Sequence, residues 1–151
     1  MKVGFDNIVL DSTISSLYAS LNYPVANLQD SVLKKRYQCS RDSDTITIDF
    51  AEYLSVSSFF YAYTNATYIQ LRLYIGSGEL VFTFTITDPE SYIGVHHFTT
   101  VYADFAEIDI MGPDNVYLGG VSLDDTITFP DPDNAWPENY QDNSSVSENI
   151  D

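Results

Sequence analysis

Cysteine is almost absent from this 151-residue chain. Cys39 stands alone, so no intrachain disulfide can form and a disulfide-stapled mini-domain is excluded. It is read as a small core residue rather than a nucleophile. Positive charge is scarce as well, with six Lys/Arg against twenty-two Asp/Glu and a net charge of -16. The imbalance is uneven: residues 1–41 carry five basic and three acidic side chains, whereas residues 42–151 carry one, Arg72, against nineteen. Nucleic-acid phosphates and anionic headgroups would repel such a surface, so neither a nucleic-acid nor a membrane partner is expected. Long apolar runs are missing too, and no window approaches a membrane span. The opening MKVGFDNIVLDS lacks the apolar run and cleavage site of a signal peptide, which leads to an expectation of synthesis in a cytoplasm.

Catalytic signatures are equally scarce. No phosphate-cradling glycine loop, zinc-type cysteine spacing or motif-linked Ser/His/Asp set is present. Twenty-two carboxylates guarantee close pairs by chance, so an acid/base pair for glycoside hydrolysis is not assigned. His96 and His97 fall in an apparent strand, where neighbours point to opposite faces and cannot easily share a metal. Asp124, Asp125 and the Asp-Pro-Asp at 131–133 offer hard oxygen ligands for calcium but lack the spacing of a calcium loop. No cofactor is assigned, and the chain is read as a non-enzyme.

What the chain does contain is Tyr (twelve), Phe (nine) and many Val, Ile and Thr, which favour half-buried strands. Residues 3–10 read as a first strand and 11–23 as a long connection, in which β-branched and Ser content disfavours the alternative of a helix over 12–21. Pro24 is followed by a helical or 3₁₀ turn that tucks Leu28 inward. Lys34, Lys35, Arg36 and Arg41 are expected on an edge or turn, facing the acidic bulk of the chain or of a neighbouring subunit. From Thr45, residues Ile46, Ile48 and Phe50 share one face of a strand. A denser run, 56–63, predicts a central strand covered on both faces. Tyr68, Gln70, Arg72 and Tyr74 then alternate with Ile69, Leu71, Leu73 and Ile75. A turn at 76–78 leads back through Leu80, Phe82, Phe84 and Ile86 to a stop at Asp88-Pro89.

Further apolar runs at 93–98 and 100–111, a turn at 112–115 and a last strand over 126–129 complete about nine strands. Gly119-Gly120 marks a bulge or a close backbone approach. Past Pro130 the composition turns to Asp, Asn, Ser and Pro, so 131–151 is read as an acidic extended tail on a 1–130 domain. Trp136 and Tyr140 are the candidate anchors by which that tail holds a neighbouring subunit; packing back on the same domain is the alternative. Alternating strands need two layers to cover their apolar faces, giving an all-β antiparallel two-sheet sandwich of jelly-roll type.

On that reading, YPVANLQD followed by TITIDF resembles the N-terminal half of galactose-binding-like (discoidin-like) jelly rolls, most closely versions in bacteriophage virion proteins. NVYLGGVSLDDTITFP is similar to their closing hairpin. The pattern often places glycine after the first long strand, where this chain has Ala51. The resemblance implies a sandwich whose end loops bind sugars or lipids and are often braced by calcium, but no sugar-binding residue carries over by motif. The expected function is a non-enzymatic component of a tailed-phage virion, a tail, adaptor or capsid-decoration protein. Its partners would be other virion proteins and further copies of itself. The alternative is a carbohydrate-binding module that stacks tyrosines on host-surface glycans.

Overall fold

A computed structural model describes residues 2–4, 7–30, 35–76 and 78–128. The chain divides into two compact units, one made of the termini and one of residues 5–125. In the first, strand β1 (Lys2–Gly4) pairs antiparallel with β9 (Thr126–Thr128), Val3 opposite Ile127. The expected tail, with Trp136 and Tyr140, lies outside the described residues.

The larger unit holds β2 (Thr13–Ser16), β3 (Tyr37–Gln38), β4 (Ser43–Thr64), β5 (Tyr68–Ile75), β6 (Glu79–Thr87), β7 (Ile93–Met111) and β8 (Tyr117–Asp124). It is an antiparallel two-layer sandwich in which β4 and β7 run through both layers. One layer is ordered β2, β4 (43–49), β7 (105–111), β5, β6; the other is β7 (93–103), β4 (54–64), β8, β3. Both long strands turn the corner together. Asp49 pairs with Phe105 and Leu54 with Ala103, so four residues of β4, 50–53, stand opposite Asp104 alone. Strands that change sheets do so through bends of this kind. Ala51 sits at the bend with φ +67, a left-handed conformation that suits glycine and strains any other residue.

The alternating pattern sets which side chains are buried. Ile46, Ile48, Ile69, Leu71, Leu73, Ile108 and Ile110 point inward from the first layer and meet Phe59, Tyr61, Val121 and Leu123 from the second. Full burial of such side chains stabilises by about 1.5–3 kcal/mol each before chain entropy is counted. On one lateral side the layers close through rings: Phe82 lies 4.4 Å from Phe98 and Phe84 lies 5.1 Å from His96, centroid to centroid. Gly119 allows the close approach expected of it, since a Cβ there would lie 2.8 Å from Cβ of Tyr63.

Several expected elements are drawn differently. Residues 8–11 form a 3₁₀ helix, not the end of a strand, because the Asn7 side chain accepts the Val9 N–H at 3.0 Å and caps it. The long connection expected over 11–23 contains β2, registered on β4 with Ile14 opposite Ile48. The runs 45–50 and 56–63 are one strand, as are 93–98 and 100–111, because each bends with its partner and keeps pairing. The turn after Pro24 is the 3₁₀ helix Val25–Gln29, with Leu28 buried. Of the basic cluster, Lys35 pairs with Asp30 at 2.8 Å. Arg36 lies over the rings of Tyr23 and Tyr117 and Arg41 over Tyr18, so ring faces, not the expected acidic bulk, receive these guanidinium groups.

Candidate functional site: a cleft at the sheet corner

The outward face of the first layer is a ladder of polar rungs. Thr45, Asp109, Gln70 and Thr85 form one rung, and Thr47, Glu107, Arg72 and Thr83 the next. Arg72 is the hub: its Nη2 lies 2.8 Å from Asp109 Oδ2 and 3.2 Å from Glu107 Oε1. Thr45 donates to Asp109 at 2.6 Å, and the Tyr74 phenol donates to Glu107 at 2.7 Å. Burial and that hydrogen bond hold the Tyr74 phenol above the usual tyrosine pKa. A shallow cleft of about 510 Å³ lies at one end of the ladder between Leu17, Tyr18, Tyr68, Arg72 and Met111. Its wall is fixed by Asp44, which accepts the Tyr18 N–H at 3.2 Å and the buried Tyr37 phenol. Arg72, Glu107 and Asp109 are committed to one another here, while Arg72 Nε is buried with no hydrogen-bond partner among the described residues.

The other end is different. At the corner a cleft of about 450 Å³ is lined by Asp49, Tyr74, Gly76, Gly78, Asp104 and Phe105. The bend in β4 makes it, because the four unmatched residues leave Asp104 facing the excess backbone. Asp49 Oδ1 accepts the Ala51 N–H at 2.9 Å and steadies the bend. Tyr74 and Phe105 meet edge to face with centroids 5.9 Å apart and form the apolar wall. Gly76 and Gly78, with φ +57 and +114, line the rim and add no side chain of their own to the mouth. The Tyr53 hydroxyl stands 3.8 Å from where a Gly76 Cβ would be, and its side chain is 61% exposed. Asp104 Oδ1 is buried and has no hydrogen-bond partner among the described residues.

Two carboxylates beside two ring walls, with an exposed tyrosine at the rim, suit a ligand that brings hydroxyl or ammonium donors and an apolar face. None of these residues was singled out from the sequence as a site. The one hint was Ala51, at the position where the resemblance favours glycine.

The histidines behave as expected, His96 sitting half-buried against Tyr61 and Phe84 while His97 is exposed. Cys39 is buried, and burial raises its thiol pKa. Of the calcium candidates, Asp125 accepts hydroxyls from Ser55 and Ser57 at 2.7 and 3.1 Å, and residues 131–133 lie outside the described residues. Among the described residues no group of three or more His, Cys, Asp or Glu is placed to hold a metal ion.

No protein-family model and no curated protein matches the chain. Solved structures do. Chitosan-binding module 2 of a chitosanase/glucanase from Paenibacillus sp. IK-5, in complex with chitotriose, superimposes with TM-score 0.69 at 14% identity, over 79% of this chain and 100% of that one. A fucose-binding module from Streptococcus pneumoniae gives TM-score 0.69 at 14% identity over 83% and 100%. The lectin domain of lectinolysin, complexed with Lewis B antigen, gives TM-score 0.69 at 11% identity over 80% and 97%. At these identities the likeness establishes the β-sandwich fold.

Proposed function

We propose that this chain is a non-catalytic glycan-recognition module that binds through the corner cleft. The observation that carries the reading is the ring-walled cleft lined by the carboxylate residues Asp49 and Asp104, on a sandwich shared with sugar-binding modules. Carboxylates accept hydrogen bonds, and a ligand hydroxyl or ammonium supplies the donors. The Tyr74, Phe105 and Tyr53 rings offer faces or edges to the C–H side of a pyranose. The net charge of -16 selects against sialylated or uronic-acid glycans and favours neutral or cationic amino-sugar chains.

Calorimetric titration with chitooligosaccharides, acetylated and deacetylated, fucosylated oligosaccharides and acidic controls tests this reading. Asp104→Asn and Tyr53→Ala are each expected to weaken binding of the preferred glycan about tenfold, one lost hydrogen bond or stacked ring. Binding unaffected by both substitutions would be polyelectrolyte attraction and would sink the cleft as its site. Release of reducing ends during incubation would contradict a non-catalytic role.

The sequence placed virion assembly first and glycan binding second; the structural likeness reverses that order. A place in a tailed-phage particle, with virion proteins as partners, stands as a separate proposal. Mass spectrometry of purified particles tests it, and absence of the chain from them would remove it.

A further inference from the structure

The lateral side closed by Phe82, Phe84, His96 and Phe98 is also where both layers end. β6 pairs with β5 alone, and the 93–103 half of β7 pairs with β4 alone, so two open strand edges lie side by side. Unpaired edges invite another strand, and proteins blunt them with Lys, Pro or inward charge. Beyond Glu79, the first residue of β6, residues 80–87, LVFTFTIT, and 93–102, IGVHHFTTVY, contain no Asp, Glu, Lys, Arg or Pro. In a chain that is 19% charged, eighteen such positions would ordinarily hold three or four charges. The edges also display apolar surface: Leu80, Ile93 and Val95 are about half exposed, and Phe82 and Phe84 are only partly covered.

We propose that this charge-free side is a self-association face on which two copies of the chain join edge to edge about a two-fold axis. Charge selects the occupant. Two chains of net charge -16 repel over most of their surface, and this side lets them meet without opposing or burying a charge. An antiparallel pairing of β6 with its copy is isologous, so both layers continue across the joint, with β7 beside β7. A bulge at Val81, between the pairs Leu73/Phe82 and Tyr74/Leu80, confines regular pairing to residues 82–87. Centred on Phe84, that register sets Phe82 against Ile86 and Thr83 against Thr85 of the other copy. The half-covered rings become core and the threonines form hydroxyl pairs. Eight residues at about 3.4 Å each, across two layers about 10 Å apart, give a face of about 27 by 20 Å. The two copies together would bury about 1,100 Å², just above the roughly 1,000 Å² that a specific interface should clear.

Sedimentation equilibrium of the full chain tests the proposal between micromolar and 100 micromolar concentrations. The expected mass is twice the 17.0 kDa of one chain. The double variant Thr83→Lys/Thr85→Lys places like charges opposite each other and is expected to weaken association by about tenfold or more. Its far-UV circular dichroism should be unchanged, since both side chains are exposed. Mixing it with Thr83→Glu/Thr85→Glu should restore a dimer, now mixed. A wild-type chain that stays monomeric throughout overturns the proposal, as does a dimer indifferent to the lysines. Glycan titration of the lysine variant separates this face from the cleft, because binding should survive dissociation.

Discussion

Replacing Tyr37 with Phe removes one hydroxyl from the interior and should leave a signature that depends on pH. Tyr37 is fully buried, and its phenol donates to Asp44, a carboxylate only 6% exposed. In the variant Asp44 keeps the N–H groups of Tyr18 at 3.2 Å and Thr45 at 2.8 Å but loses its strongest donor. A hydrogen bond to a charged acceptor stabilises by about 1.5–3 kcal/mol. Near pH 8 the variant should therefore be about 2 kcal/mol less stable, a fall in Tm of about 6–10 °C for a domain of this size. Burial first, then the bond to Asp44 and its charge, raise the phenol pKa above the usual tyrosine value. The folded chain thus holds a proton that the unfolded chain releases above about pH 10. The phenol's contribution is complete below that pH and declines as pH rises, by about 1.4 kcal/mol per unit. The gap between wild type and Tyr37→Phe should start to narrow near pH 10 and close by about pH 11.5. Tyr61, Tyr74 and Cys39, whose pKa values are also raised by burial, steepen the alkaline limb of both proteins. Urea unfolding followed by far-UV circular dichroism from pH 7 to 11.5 measures the gap. A gap that stays constant across the series, or no difference at pH 8, would refute the reasoning.

Two further substitutions probe the packing that carries the cleft and the open side. A Cβ on Gly94 would fall within the Tyr61 ring, which lies buried across that glycine, so Gly94→Ala should cost about 2–3 kcal/mol in urea unfolding; an unchanged midpoint would show that the ring moves freely. His96 is held below its usual pKa chiefly by burial, and its Nε2 has no partner among the described residues. Its neutral form supports the fold fully above about pH 6.5, and that support is lost as pH falls through the lowered pKa. His96→Phe should therefore flatten the decline of Tm between pH 6.5 and 4, and a decline as steep as wild type would argue against it.

Alternation made the strand faces legible in advance. The face carrying Ile46, Ile48 and Phe50, the face carrying Ile69, Leu71 and Leu73, and the inward tuck of Leu28 all follow from side-chain period and turn chemistry, which are local. The merging of 45–50 with 56–63 was not legible, because apolar pattern cannot reveal whether pairing persists through a bend. A partner strand decides that, and β7 bends alongside. Asn7 similarly starts a 3₁₀ helix at residues 8–11 through a side-chain cap that propensity does not register. The corner cleft stayed hidden for the same reason. Asp49 reads as an ordinary outward strand residue and Asp104 as one carboxylate among twenty-two, and long-range register alone brings them together.

The shared strands also bear on motion. In a sandwich built from separate sheets the layers can shear past each other, since only side-chain packing resists sliding. Here β4 and β7 belong to both layers, so sliding would have to strain both chains where they turn the corner together. Asp49 and Asp104 are mounted at that corner. A ligand arriving there meets groups already in place, and little of its binding energy goes into ordering them.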